Sequence, residues 1–452
     1  MPPSHPADPA RTLANGRQER SGDLSGAGRR RLPLGLRPLL WTQFLSALAD
    51  NALLIVAIAL LQQQGFAPWW APMLKVGFNA SYVLTAPFVG PLADAMPKRR
   101  LMAWMNALKM AGAAGLLFGA NPVLAYAVVG LGAAAYAPAK YGLVTELVPP
   151  RQLVAANGWL EVSVVAAVLL GVALGGFLVS PSWLALSADL WPGWAAFAGS
   201  FALAADSSVA LSSASPPAYG ASLAALLGIY GLASVANVGV PDSGARYARP
   251  RRHPGVLLSE FIGAHRALWR DPDGGLSLAV TTLLWGAGAT LQFVVLRWAT
   301  EALGLTLDRA SYLQAAVAVG VVVGAGLAGR FVALTQAKRL LPGGVLLGAM
   351  LPLLLQADSV LAATGALLTL GALSGFLVVP MNALLQHRGC ALLSAGRSIA
   401  VQGANENASI LVMLSIYGAL TAAGVSIAAV VWGFAAVLSA GVGVLWLHER
   451  RR

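Results

Sequence analysis

Twelve stretches of this chain are apolar and long enough to cross about 30 Å of hydrocarbon as α-helices, and nothing else in the sequence restricts the fold so tightly. They lie near 37–62, 71–93, 101–119, 122–145, 157–180, 219–240, 277–300, 310–334, 340–356, 359–386, 400–420 and 425–447. In lipid each backbone N–H and C=O must be satisfied within its own segment. The expectation is therefore an all-α polytopic membrane protein with twelve transmembrane helices. The composition agrees, with 57% apolar residues and only 11% charged. One more stretch, WPGWAAFAGSFALAADSSVAL at 191–211, is apolar enough to compete for a place. Loop charge decides against it. Lys98, Arg99 and Arg100 follow the second span, while Arg246, Arg249, Arg251, Arg252, Arg266 and Arg270 follow the sixth. Both clusters mark the same side, so an even number of crossings separates them. Residues 181–218 are read as an external loop insertion.

The net charge of +12 has a distribution that argues against a nucleic-acid partner. Lys and Arg crowd into the N-terminal tail and alternate loops, whereas the connections after spans 1, 3, 5, 9 and 11 carry none. That is the positive-inside pattern, and it puts both termini in the cytoplasm. Residues 1–36 are expected to be a disordered basic tail ending in RRRLPLGLR, and residues 448–452 a short second tail. A cleaved signal peptide is not expected, because the first apolar run is too long, starts late and contains Asp50. The one cysteine, Cys390, excludes an intramolecular disulfide.

Weak internal echoes divide the chain into halves. YAPAKYGLVTE in span 4 has Pro138, Lys140 and Glu146, and VVPMNALLQHR in span 10 has Pro380, Asn382 and Arg388 at the same offsets. Arg151 precedes GWLE (Gly158–Glu161) as Arg397 precedes GANE (Gly403–Glu406). Two six-helix bundles follow, 37–240 and 276–447, joined by an Arg-rich cytoplasmic linker at 241–275. Pro138 and Pro380 each free a carbonyl and bend a helix, which suits helices that line a cavity or move during gating.

Enzyme chemistry finds little support. The histidines, His5, His253, His265, His387 and His448, fall in tails or cytoplasmic connections, no metal-ligand spacing is present, and there is no phosphate-binding loop for ATP. No cofactor or metal is expected. An intramembrane lipid-modifying enzyme stays open as a minor alternative, since buried carboxylates can do acid–base work.

The loop after span 2, GPLADAMPKRR, places Gly90, Asp94, Lys98, Arg99 and Arg100 in a pattern that resembles the major facilitator superfamily, whose corresponding loop carries Gly-x-x-x-Asp followed by basic residues. This copy departs from the family pattern at Ala95, usually basic, and near Pro97, usually glycine. QFLSALADNALL (43–54), GAAAYAPAKYG (132–142), VVPMNALLQ (378–386) and AVQGANENASILVML (400–414) narrow the likeness. From about residue 37 to 447 the chain resembles the bacterial lysophospholipid transporters of that superfamily. The resemblance implies a flippase that moves lysophosphatidylethanolamine and related lysolipids from the outer to the cytoplasmic leaflet of the inner membrane. Relatives of such transporters act with, or are fused to, an acyltransferase and acyl-carrier-protein synthetase that re-acylates the imported lipid, and here that enzyme is expected to be a separate polypeptide. A proton-coupled transporter of another solute or drug is the main alternative. Some relatives place an Arg in span 7 where this chain has Gln292, and here Arg297 follows five residues later.

Such a substrate needs a polar cavity of both signs, and the buried charges meet that need. Asp50, Lys109, Lys140, Glu161 and Glu406 all lie within apolar spans. Asp50, Asn51, Lys140, Glu161, Gln292, Arg297, Asn382 and Glu406 are the candidate substrate-binding residues. Gly90, Asp94, Lys98, Arg99, Arg100, Pro138 and Pro380 are the candidate gating residues. Lys109 is expected to form a structural pair or to snorkel, and Glu161 and Glu406 have the alternative of locking helices to Arg151 and Arg397. Asp50 is expected to hold Lys140 in the empty site and a substrate ammonium in the filled one, with Asn51 orienting it.

Overall fold

The computed structural model describes residues 35–66, 70–190, 219–245, 253–305 and 307–451, and every regular element among them is helical. The first half contains α1 (Leu36–Gln63), α2 (Trp70–Ala95), α3 (Lys98–Leu117), α4 (Pro122–Leu147), α5 (Leu153–Leu178), α6 (Pro181–Leu190) and α7 (Gly220–Val238). After α8 (Pro254–Arg270) come α9 (Pro272–Ala302), α10 (Leu307–Phe331), α11 (Leu341–Met350), α12 (Val360–Leu392), α13 (Ala395–Ala422) and α14 (Ile427–Arg450). Apart from α6 and α8, these are the twelve expected spans. Among the described residues nine helical stretches are long and apolar enough to cross a membrane by length and hydropathy. The other three, α2, α3 and α13, carry Lys75 and Asn79, Lys109, and the Gln402–Asn407 polar run.

Local sequence sets many of the boundaries. Asn121 accepts from Val123 N–H at 2.9 Å to cap α4, with Pro122 at the first helical position. Asp271 caps α9 ahead of Pro272, and Ser359, Ser394 and Ser426 cap α12, α13 and α14. The ninth span ends irregularly: α11 gives way to a 3-10 turn over Leu351–Gln356 that contains Pro352. Part of the expected loop insertion is ordered, since residues 181–190 form α6 and Trp183 Nε1 donates to Ser222 Oγ at 3.0 Å. The linker also holds a helix that the sequence did not announce, α8, with Ala264 and Leu268 buried. Residues 1–34, 191–218 and 246–252 lie outside the described residues, and with them the tail, most of the insertion and Arg246, Arg249, Arg251 and Arg252.

Within the first half α1 packs on α5 and α7, and α4 on α2 and α3; within the second, α12 packs on α10, α13 on α9 and α14 on α11. The halves meet along two principal seams, α2 against α13 and α5 against α10. The second spanning helix of each half thus meets the fifth of the other, which is the relation a pseudo-two-fold axis generates.

Both seams are tightest at the end that bears the basic loops. A Cβ on Gly90 would stand 2.9 Å from the Arg397 backbone, and one on Gly158 would stand 2.9 Å from the Ala325 carbonyl and 3.3 Å from Gly329 Cα. Asn157 and Gln386 exchange reciprocal amide hydrogen bonds of 2.9 Å between α5 and α12. In α13 the buried residues are confined to Ala395–Gln402, the part facing this closure. Substituting Gly158 by Leu is therefore expected to force α5 and α10 apart and to expose the basic-loop end. The native thiol of Cys390, on α12 at that end, is a built-in reporter. Its labelling rate with a membrane-permeant maleimide should rise several-fold in Gly158→Leu; an unchanged rate would mean that this crossing does not hold the closure.

Candidate functional site

Between the halves lies a cavity of about 350 Å³, within the range of small-molecule sites. Helix α1 supplies its most polar wall. Gln43, Ser46 and Asp50 fall at i, i+3 and i+7, which places all three on one face of a helix otherwise built to meet lipid and protein.

Asp50 is fixed from behind. Its Oδ2 accepts from Lys109 Nζ on α3 at 2.6 Å, and its Oδ1 accepts from the Tyr230 hydroxyl on α7 at 2.6 Å. Lys109 Nζ also donates to Ser46 Oγ at 3.1 Å and sits 4.9 Å from the centre of the Tyr136 ring. Ser46 donates to Asn106 Oδ1 at 3.0 Å, and Asn106 Nδ2 donates to the Tyr230 carbonyl at 2.9 Å and to Ser234 Oγ at 2.8 Å. Asp50, Lys109, Ser46, Asn106 and the Tyr230 hydroxyl are thereby hydrogen-bonded, as burial at this depth requires.

This arrangement corrects the expected Asp50–Lys140 pair. Lys140 donates instead to Gln43 Oε1 at 3.1 Å and lies 4.3 Å from the centre of the Tyr141 ring. Lys109 projects from α3 onto the same face as Ser46, so it reaches the carboxylate first. Asn51 does not orient Asp50 either; its Nδ2 donates to the Ala47 carbonyl one turn back at 2.8 Å.

The opposite wall comes from α12 and α13. Gln402 Nε2 donates to Asn382 Oδ1 at 3.0 Å and to Glu406 Oε1 at 2.8 Å. Asp50–Asn51 on α1 and Glu406–Asn407 on α13 thus bring an acid followed by Asn to the cavity from each half. Glu161 is buried on α5 near Lys140 but is not among the lining residues. Neither glutamate is locked to the arginine suggested for it: Arg397 bonds Glu260 of α8 at 2.8 Å, and Arg151 is exposed.

Two candidates lie away from the cavity. Gln292 is exposed, and its carbonyl accepts from Gln314 at 2.7 Å. Arg297 pairs with Glu301 at 2.6 Å and donates to the Val425 carbonyl at 3.2 Å. Conversely, Gln43, Ser46, Lys75, Asn79, Tyr82 and Gln402 line the cavity although they are not among the residues expected to bind substrate. The polar stripe at 43, 46 and 50 was a usable signal for the first two.

The residues of the basic loop gather at the closed end. The Asp94 carboxylate accepts from the Ser394 hydroxyl and, at 3.1 Å, from Gly396 N–H, so it caps the N-terminus of α13, where the helix dipole favours an anion. Lys98 bonds Glu146 at 2.6 Å and stands 3.9 Å from Asp94. The Arg99 carbonyl accepts from Asn237 at 2.9 Å, and Arg100 is exposed. Pro138 lies inside α4 and lines the cavity, while Pro380 is buried inside α12.

Two bundles of spanning helices around a charged central cavity define a transporter architecture. Residues 39–391 match the model of the Major Facilitator Superfamily. The chain is 40% identical over 419 residues to "Lysophospholipid transporter LplT" of Shigella flexneri, covering 92% of this chain and 96% of that protein. It is also 40% identical over 421 residues to the protein of the same name from an Escherichia coli strain, with the same coverage. Among solved structures, the transporter FucP in its outward conformation superimposes with a TM-score of 0.67 at 15% identity, over 92% of this chain and 98% of that one. A bacterial homologue of the iron transporter ferroportin in an outward-facing state gives 0.65 at 16% identity, over 93% and 100%. The chain belongs to the Major Facilitator Superfamily and, within it, to the lysophospholipid transporter family.

Removing one partner of a buried ion pair leaves the other charge uncompensated, at about 3–5 kcal/mol. Asp50→Asn is therefore expected to lower the melting temperature of the purified protein well beyond the effect of an ordinary cavity-wall substitution. Adding Lys109→Met to Asp50→Asn should recover most of the loss. A double variant no more stable than Asp50→Asn alone would mean that the pair does not hold α1 to α3.

Proposed function

We propose that this protein carries lysophosphatidylethanolamine and related lysolipids from the outer to the cytoplasmic leaflet of a bacterial inner membrane. The single observation that supports this most directly is the cavity's charge arrangement. A zwitterionic head group carries a phosphate and an ammonium, and the cavity offers cations and carboxylates on facing walls. Lys140, whose hydrogen-bond partner is the neutral Gln43, is suited to the phosphate. Asp50 and Glu406 are suited to the ammonium, and Asn51 and Asn382 to head-group oxygens.

In this reading the basic-loop end is cytoplasmic, as the distribution of Lys and Arg favours. The Asp94–Ser394–Gly396 contacts, the Lys98–Glu146 pair and the close approach at Gly90 form a closed cytoplasmic gate, with Arg99 and Arg100 at its rim. Pro138 and Pro380 give α4 and α12 weak points at which to bend when that gate opens. Re-acylation of the delivered lipid falls to a separate acyltransferase and acyl-carrier-protein synthetase.

Protein reconstituted into liposomes is expected to move radiolabelled lysophosphatidylethanolamine between leaflets with no nucleotide present. Asp50→Asn and Lys140→Ala are each expected to lose most of that movement while still inserting in the membrane. Strict dependence on ATP would contradict the proposal. Competition by sugars or cationic drugs, with none by lysolipid, would instead favour another solute.

A further inference from the structure

The exposure of the two partners in the Asp50–Lys109 pair is unequal. About 13% of the Asp50 side chain is accessible, against 3% for Lys109. Both residues belong to the cavity wall, the carboxylate being the more accessible, and the ammonium is held on Ser46 Oγ and beneath the Tyr136 ring. Whatever enters therefore meets the carboxylate with its counter-charge already in place. The second cation of this wall differs, because its hydrogen bond goes to the amide of Gln43 and not to a carboxylate.

From this geometry we infer that Lys109 is a specificity-determining residue: it neutralises Asp50 so that one site accepts lysolipid head groups both with and without an ammonium. A bare carboxylate at this depth would attract an ethanolamine head group and repel one that carries only the negative phosphate. Paired with Lys109, Asp50 still has lone pairs to offer, since a carboxylate accepts about four hydrogen bonds and two are used here. It can receive an ammonium, or the hydroxyls of a glycerol head group, at little cost in charge. Lys140 remains to take the phosphate that all such lipids share. A purely structural role would need no particular asymmetry. Tyr230 already holds the other carboxylate oxygen, and Asn106 already ties Ser46 to α7.

The inference rests on the substrate reading given above, and one experiment separates the two. Proteoliposomes containing wild type, Lys109→Gln, Lys109→Arg or Asp50→Asn are assayed with lysophosphatidylethanolamine and lysophosphatidylglycerol, and the ratio of the two rates is the readout. Size-exclusion profiles confirm that each variant is folded, and a ratio is insensitive to the amount of active protein. Lys109→Gln should raise the ethanolamine-to-glycerol ratio about tenfold, the size of effect that uncovering one poorly screened charge produces. Lys109→Arg, which keeps the charge, should stay near the wild-type ratio. Asp50→Asn, which uncovers the lysine, should move the ratio in the opposite direction in whatever transport it retains. Equal losses for both lipids in Lys109→Gln, or shifts of the same sign in Lys109→Gln and Asp50→Asn, would overturn the inference and leave the substrate reading standing. Wild-type protein that moves neither lipid would overturn both.

Discussion

A carboxylate set among apolar helices must be paired, and the first half of this protein is organised around doing so. Asp50 takes a lysine from α3 and a hydroxyl from α7, and the same lysine reaches back to Ser46 on α1. Asn106 then ties Ser46 to the α7 backbone and to Ser234. Three helices are held in register by groups that have no other acceptable partner, because each would leave an unsatisfied charge or dipole if the others moved. The polar wall of the cavity is the exposed side of this network. Structural demand and the presentation of charge to a ligand are met by the same atoms.

The second half is assembled differently. A methyl group on Gly320, Gly324, Gly371 or Gly375 would run into the backbone of the facing helix, so α10 and α12 approach as closely as two helices can. Van der Waals contact between small residues supplies the cohesion there, as it commonly does in lipid. Its cavity wall depends on amides, with Gln402 bridging Asn382 and Glu406. One half thus carries a compensated ion pair and the other a single carboxylate held by an amide. Between them, the closed end combines glycine-permitted approach at Gly90 and Gly158 with hydrogen bonds at Asp94 and at Asn157–Gln386. The Lys98–Glu146 ion pair at this end joins two helices of the first half, so it is not what opening has to break.

Much of this was legible in the sequence. Hydropathy located the twelve helices that the described residues contain besides α6 and α8, while the thirteenth candidate, 191–211, lies outside the described residues. The Gly90–Asp94 spacing pointed to a helix end designed for close approach, and Asp94 does cap α13. What failed was the choice between two lysines. Apolar spans give weak helical periodicity, so the rotation of α3 and α4 about their axes was not fixed by the pattern, and Lys109 and Lys140 were indistinguishable by depth. The three-residue register from Asn106 to Lys109, read with the stripe at Gln43, Ser46 and Asp50, contained the answer. Gln292 and Arg297 were suggested by likeness to relatives alone, and neither is among the residues that line the cavity. Helix α8 was hidden by its setting, since an arginine-rich connection disguises a short amphipathic helix whose burial is limited to Ala264 and Leu268.

Direct labelling tests whether the charged cavity between the halves receives the lipid head group. A lysophosphatidylethanolamine bearing a photoreactive group beside its phosphate would be bound to the reconstituted protein, illuminated, and the adducts located by mass spectrometry. Adducts are expected within residues 43–51 of α1 and 399–410 of α13, both competed away by unmodified lysolipid. Adducts confined to lipid-facing residues of α14, such as Trp432 and Val444, would contradict this expectation.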